Sequence, residues 1–171
     1  MEACAQCGYA CDALDRAGIA PELRARAERY GEVLRRSDAD RLRARRRPEV
    51  WSALEYACHV RDLHRIQGAR VLQACHEDEP DFAPMRREER VLEEHYNDQD
   101  PAHVATEITA AAGTMAGILE SLDATGWNRT GIYHWPTTEI RTVEWIGRHT
   151  VHESVHHFRD IEELLEGGRR R

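Results

Sequence analysis

The sequence predicts an all-α protein folded as a four-helix bundle. Four long segments carry apolar residues at spacings of three and four, which place those residues along one face of a helix. Connections of modest length join these segments, as in bundles whose helices pack side by side. With 171 residues, the chain is long enough for one domain with a buried core.

The first two predicted helices each open on a proline. One spans residues 21–37 and the other spans residues 48–75. Proline suits the first turn because it lacks an N–H group, which a helix start leaves unpaired in any case. Arginines dominate the connection at residues 41–47, a pattern that favours a solvated linker, with an anion site as the alternative.

The third predicted helix, at residues 101–122, has the clearest signal in the chain. It opens with an aspartate cap followed by a proline in the first turn. Its apolar residues then follow at spacings of four and three, namely Val104, Ile108, Ala111, Met115, Ile118 and Leu122. The fourth helix is predicted at residues 138–165, and residues 130–134 are the one segment that suggests a strand.

Composition and charge exclude several classes of protein. The net charge of −7 is not the basic footprint of a general nucleic-acid binder. No apolar run approaches the roughly 20 residues of a membrane span, and the first residues lack the basic and apolar parts of a secretion signal. We therefore expect a cytoplasmic protein that binds neither nucleic acid nor membrane.

Residues 1–18 lack helical periodicity and are predicted to form a cysteine-bearing N-terminal arm, which precedes a bundle domain at residues 19–171. The chain has five cysteines, three of them in this arm. An odd number of cysteines in a reducing compartment argues against a framework of disulfides.

The arm contains half of a possible zinc site. The sequence Cys4-Ala-Gln-Cys7-Gly has the Cys-x-x-Cys spacing of such sites, but a closed zinc site needs four ligands. Cys11, Cys75 and His76 are the available complements. Free thiols and a second bound metal are therefore both open for Cys4, Cys7 and Cys11.

Residues 149–157 concentrate four of the ten histidines and a glutamate on the fourth predicted helix. At about 100° per residue, Glu153 and His157 lie at the edge of its apolar face. Their spacing of four lets one helix present two ligands to one divalent metal. His152 and His156 point away from the apolar face, and we expect them to face solvent.

The second predicted helix offers a third ligand. His59 shares an apolar face with Glu55 and Asp62, and ionisable groups buried without partners are costly. A satisfied hydrogen-bond network would explain His59 alone. Together with Glu153 and His157, however, His59 predicts a metal site, with Glu55 or Asp62 orienting a histidine or shuttling a proton.

These residues resemble the DinB/YfiT-like superfamily, which includes mycothiol-dependent maleylpyruvate isomerases and related thiol S-transferases. The resemblance covers about residues 21–165. It rests on two motifs, Trp51-Ser-x-Leu-Glu-Tyr-x-x-His59-Val-x-Asp62 and His152-Glu153-x-x-x-His157-Phe-x-Asp160-Ile161. It implies a DinB-like four-helix bundle and a divalent metal (zinc or nickel first, iron as the alternative) held by His59, Glu153 and His157.

The resemblance also implies a chemistry. Three protein ligands leave open positions on a metal, where a low-molecular-weight thiol such as mycothiol could bind as a thiolate. The implied function is a thiol-dependent S-transferase or isomerase that acts on an electrophilic substrate. A homodimer formed through helix faces is compatible with the family.

Two other functions remain open at this stage. One is a non-catalytic stress-response or binding module that uses the metal only for stability. The other is non-haem iron(II) oxygen chemistry, which two histidines and a carboxylate also support.

Overall fold

The computed structural model describes residues 4–167, except for the side chain of Asp12. In chain order its helices and strands are α1 (Arg16–Arg36), α2 (Ala39–Arg43), α3 (Ala53–His76), α4 (Arg87–Glu93), α5 (Pro101–Glu120), α6 (Ala124–Asn128), β1 (Thr130–Tyr133), β2 (Glu139–Thr142) and α7 (Val143–Glu166). The four long helices form a bundle, so the predicted all-α four-helix fold is confirmed. Among the described residues, no helix combines the length and apolar character needed to cross a membrane.

The long helices are not arranged around the bundle in chain order. Helices α1 and α3 each pack against both α5 and α7. Consecutive long helices α1 and α3 therefore lie diagonally opposite, and the same holds for α5 and α7. This arrangement places α3 directly beside α7, and the contact between these two helices carries the candidate site.

Two helix starts differ from the prediction because side-chain caps, and not prolines, define them. Helix α1 begins five residues before Pro21, where the Asp15 carboxylate accepts a hydrogen bond from the first turn. Helix α3 begins five residues after Pro48, at a capping box formed by Ser52 and Glu55. In such a box each side chain accepts the free backbone N–H of the other residue.

A β-hairpin occupies residues 130–142, where the sequence suggested a single strand. Strands β1 and β2 pair antiparallel, with Thr130 opposite Thr142. The strand at residues 130–134 is thus confirmed, but the predicted start of the fourth helix is wrong by five residues because β2 precedes it. The Thr142 hydroxyl accepts the Trp145 N–H and caps α7.

The hairpin packs on the connection between α3 and α4. The Phe82 N–H donates to the Ile132 carbonyl at 3.1 Å, and the Ile132 N–H donates to the Pro80 carbonyl at 2.8 Å. The Phe82 ring lies so close to Gly131 that a Cβ there would be 2.3 Å from it. Glycine at this position is therefore required for the hairpin to dock.

The core consists of two apolar clusters separated by a polar belt. Along α3 the apolar members stop at Val60 and resume at Val71, and along α7 they stop at Val151 and resume at Phe158. Buried polar side chains fill these gaps, including Arg61, Asp62, His64, Gln67 and Arg70 on α3 and Ser154 and His157 on α7. The candidate site residues lie in this belt or at its edge.

Candidate metal centre

The three predicted ligands come together where α3 meets α7. His59 projects from α3, and Glu153 and His157 project from α7 one turn apart. The ligand atoms of the three side chains all lie within 4.8 Å of one another, and the two imidazole ring centres are 5.0 Å apart. The structure thus brings together residues almost a hundred positions apart in the chain.

The burial of the two imidazoles fits a bound cation. His59 is 3% exposed and His157 is 8% exposed. Each has a buried nitrogen without a hydrogen-bond partner, Nδ1 in His59 and Nε2 in His157. Leaving a buried polar atom unsatisfied costs about 1–3 kcal/mol. A divalent metal would give lone pairs of this kind a partner, so the residues present fit such an ion.

Asp160 orients His157 from within the same helix. The His157 Nδ1 lies 2.9 Å from an Asp160 carboxylate oxygen, so this nitrogen carries the proton and donates it. Its Nε2 faces the Glu153 carboxylate at 3.6 Å and keeps a lone pair for a metal. A carboxylate that holds a ligating histidine in this way is typical of metal sites. Asp160 belongs to the second sequence motif but was given no role there, although its spacing of three from His157 was a usable signal.

A cavity of about 210 Å³ opens beside the triad. Its wall includes His59 and Glu153 together with Arg70, Phe82, Tyr133 and His149. The last two rings lie against each other at 5.8 Å, and His149 stacks on Trp145 at 4.5 Å. Two ligands therefore border an enclosed space that a small molecule could enter.

Comparison with known proteins identifies the family. The family model of the DinB superfamily matches residues 22–161. The chain belongs to the DinB superfamily. No curated protein matches it.

Two solved structures share the fold of this DinB-superfamily protein. One is YfiT from Bacillus subtilis, which is described as a probable metal-dependent hydrolase with an unusual four-helix bundle topology. Its sequence is 21% identical to this one and its TM-score is 0.79. The match covers 88% of this chain and 86% of the YfiT chain. The other is a mycothiol-dependent maleylpyruvate isomerase, which is 14% identical with a TM-score of 0.69. The match covers 92% of this chain and 68% of the isomerase chain. At these identities the likeness establishes the fold.

Burial and charge in this DinB-superfamily protein leave two of the three side chains, His59 and Glu153, in the protonation states of metal ligands. Burial, reinforced by the neighbouring His157, lowers the pKa of His59 to about 3, so its imidazole is neutral at pH 7. Burial alone would raise the pKa of Glu153, but its contact with His157 and the nearby His149 outweigh burial and hold it at about 2. Burial likewise opposes protonation of His157, yet Asp160 and Glu153 outweigh it and raise its pKa.

Glu55 and Asp62 each pair with other side chains, and their predicted role beside the metal remains a prediction. Glu55 caps α3 and pairs with Arg45 at 2.5 Å. Asp62 pairs with Arg61 at 2.8 Å and accepts the Tyr96 hydroxyl at 2.6 Å. A spacing of four and three placed both on the His59 face, but neither joins the group of ligand atoms that His59 forms with Glu153 and His157.

His152 and His156 are less exposed than predicted. Their side chains are 17% and 21% exposed, because the N-terminal arm lies over them. The Tyr9 ring stacks on His152 with ring planes 16° apart, and the Cys4 sulfur approaches the His156 ring. Periodicity gave the direction of both histidines correctly but could not show that another segment covers them.

Proposed function

We propose that this protein binds a divalent metal ion through His59, Glu153 and His157 and catalyses a thiol-dependent transfer or isomerisation of an electrophilic substrate. The observation that carries the proposal is the cavity beside the triad. His59 and Glu153 border this space, and three protein ligands beside open space are the arrangement of a catalytic site, because positions on the metal stay available. Bound there, the ion would lower the pKa of a coordinated thiol and so supply a thiolate.

The surrounding side chains would prepare the site. His59 is neutral and Glu153 is ionised at pH 7, so the pair can coordinate without first losing protons. Asp160 fixes the His157 ring through Nδ1. His149 is kept neutral by burial, which lowers its pKa to about 4, and from the cavity wall it can hydrogen-bond a substrate. Phe82 and Tyr133 limit the access of water to the same space.

Metal binding is tested by elemental analysis of the purified protein. We expect His59→Ala and His157→Ala each to lower bound metal by one equivalent per chain relative to the unmodified protein. His103→Ala is the matched control, because His103 lies on α5 and its side chain is 71% exposed. Equal metal content in all four proteins would contradict the proposed ligand set.

Thiol chemistry is tested with the cobalt-substituted protein. Mycothiol, bacillithiol and a simple thiol are titrated separately, and the absorption difference spectrum is recorded. We expect a sulfur-to-cobalt charge-transfer band to grow with at least one thiol and to be absent in His59→Ala. No spectral change with any thiol would reject the thiol-dependent function. A chelator that lowers the melting temperature, in a protein that also fails to hydrolyse esters and amides, would then identify a metal-stabilised, non-catalytic module.

Metal-dependent hydrolysis is the second candidate. It is favoured by the likeness to YfiT, which extends over most of both chains, and by the room for a water molecule at the same open position. The zinc-loaded protein is assayed against a panel of esters and amides without thiol. Turnover that needs metal and disappears in His59→Ala would select hydrolysis over thiol transfer.

A further inference from the structure

The Cys-x-x-Cys arm folds into a tight turn. The Cys4 N–H donates to the Tyr9 carbonyl at 2.9 Å, and the Gly8 N–H donates to the Cys4 carbonyl at 2.7 Å. Gly8 has a φ of +72°, in the left-handed region, which glycine adopts without strain. The turn therefore closes on itself and brings Cys7 back beside Cys4.

Backbone N–H groups inside the turn point at the two sulfurs. Those of Cys7 and Gln6 donate to Cys4 and lower the pKa of its thiol. Burial raises the pKa of Cys7, while the Tyr9 N–H donates to its sulfur. Hydrogen bonds of this kind stabilise sulfur as thiolate, the form that binds metals.

The turn lies against the second histidine pair of α7. His152 and His156 are four residues apart on α7, on the face next to the one that bears Glu153 and His157. The ligand atoms of Cys4, Cys7, His152 and His156 all lie within 4.8 Å of one another, and the Cys4 sulfur is 3.9 Å from the His156 Nδ1. Side chains from opposite ends of the chain thus converge.

Other contacts hold the arm in this position. The Arg159 guanidinium donates to the Gln6 carbonyl at 2.9 Å, and the Tyr9 ring stacks on the His152 ring at 6.1 Å. These contacts come from both sides of the turn. The placement of the sulfurs therefore does not depend on a single interaction.

Each histidine also has one nitrogen to spare. The His152 Nδ1 faces Glu153 at 3.5 Å, and its Nε2 is buried without a hydrogen-bond partner. The His156 Nε2 faces Asp160 at 4.0 Å, which leaves its Nδ1 towards Cys4. A carboxylate behind the far nitrogen is the usual support of a ligating histidine.

We propose that Cys4, Cys7, His152 and His156 bind a zinc ion in a closed tetrahedral site that fastens the N-terminal arm to α7. In a tetrahedral site with these ligands, neighbouring ligand atoms are about 3.3–3.8 Å apart, so small side-chain rotations complete the geometry. Two thiolates would neutralise the ion. The site is distinct from the proposed catalytic centre and fills all four positions, which makes its role structural.

The two ligands that this proposal adds to the Cys-x-x-Cys motif differ from those suggested by the sequence. Cys11, Cys75 and His76 were the candidate complements, but none of them lies in a metal-like cluster among the described residues. Cys11 is 2% exposed and packs in the interior. The complements come instead from the two histidines expected to face solvent.

The test is the zinc content and the cobalt spectrum of the full chain. Cys4→Ser should lose one zinc equivalent and the sulfur-to-cobalt charge-transfer band measured without added thiol. Cys75→Ser, the matched control, should keep both. A second variant on the other segment, His156→Gln, should lose the same equivalent, and circular dichroism checks that each variant is folded. Unchanged zinc in Cys4→Ser, or no such band in the unmodified protein, would overturn the proposal.

The two metal proposals can fail independently. If His59→Ala keeps all its metal while Cys4→Ser loses one equivalent, the arm site stands and the catalytic site is rejected. If His59→Ala loses one equivalent while Cys4→Ser keeps all its metal, the catalytic site stands and the arm site is rejected. If each single variant loses one equivalent and the His59→Ala, Cys4→Ser double variant loses two, both proposed sites are supported.

Discussion

The two ring nitrogens of His157 have different surroundings. Its Nδ1 donates to Asp160 at 2.9 Å, while its buried Nε2 has no hydrogen-bond partner. Because the first contact fixes the ring and its tautomer, the second nitrogen can serve as a ligand without further ordering. At the scale of residues, the affinity of the centre therefore depends on Asp160 as well as on the three ligands.

Asp160→Asn should weaken metal binding at the triad by roughly 10- to 100-fold, the usual cost of losing a carboxylate behind a ligating histidine. The affinity is measured by competition with a chromophoric chelator in a Cys4→Ser background, which removes the arm site. Asp98→Asn is the control, because Asp98 is 85% exposed. Equal affinity for Asp160→Asn and the parent protein would show that Asp160 does not position His157.

His64 makes the metal-free protein sensitive to acid. Burial lowers its pKa from 6.5 to about 4, so the unfolded chain takes up the proton first as pH falls. The stabilisation is complete above pH 6.5 and is lost progressively towards pH 4. Between pH 7.5 and 5.5 this one group should cost about 1.4 kcal/mol.

The measurement compares urea unfolding at these two pH values with a chelator present. His64→Leu should lose about 1.4 kcal/mol less than the unmodified protein over this interval. His103→Gln, at an exposed position on α5, should lose as much as the unmodified protein. An identical pH dependence in His64→Leu would mean that His64 is not kept neutral by burial.

At the scale of elements, helix periodicity predicted the site because two ligands share one helix. The spacing of Glu153 and His157 fixes their common face before any tertiary contact is known. The start of α5 was also predictable, since Asp100 and Pro101 are both local signals. The start of α3 could have been found from the Ser52-x-x-Glu55 pattern, which Pro48 obscured.

Elements that depend on distant contacts were beyond the sequence. Strand β2 exists because it pairs with β1, and its own burial pattern has no alternation that marks a strand. The arm is placed by contacts with α7, such as that between Arg159 and Gln6. Likewise, Glu55 and Asp62 were predicted to support the metal because the partners that reach them from other segments, such as Arg45 and Tyr96, cannot be read from the α3 sequence.

The hairpin predicts a contrast between two glycines. Gly131→Ala should destabilise the protein, because the new Cβ would meet the Phe82 ring at 2.3 Å and undock the hairpin; overpacking of this kind typically costs 1–3 kcal/mol. Gly113→Ala should stabilise it by about 0.5–1 kcal/mol, since Gly113 lies inside α5 with open space around it. Urea unfolding measures both. Equal effects at the two positions would contradict the docking of Phe82 on the hairpin.

At the scale of the whole molecule, the arrangement of the bundle decides which helices can share a metal. With α1 diagonal to α3, α3 packs directly beside α7, and the His59 ring meets the His157 ring across that contact. The same α7 presents its neighbouring face to the arm. One helix thus carries two pairs of proposed ligands, offset by a single residue, that face the bundle core and the N-terminal segment.

Chelation should therefore loosen the whole fold. A metal at 100 times its dissociation constant stabilises the folded state by about 2.7 kcal/mol, so two independently bound ions contribute about 5.4 kcal/mol, which corresponds to roughly 10–20 °C in a domain of this size. We expect a chelator to lower the melting temperature by this amount in the unmodified protein and to have no effect in the His59→Ala, Cys4→Ser double variant. An equal shift in both proteins would show that the stabilising metal binds elsewhere.

The central claim is that one cation is shared by His59 of α3 and by Glu153 and His157 of α7. Anomalous diffraction at the zinc absorption edge, from crystals of the zinc-loaded Cys4→Ser variant, tests it most directly. We expect an anomalous peak about 2.0–2.2 Å from a ligand atom of each of the three side chains. A map with no peak between α3 and α7, in crystals whose triad side chains are well ordered, would contradict it.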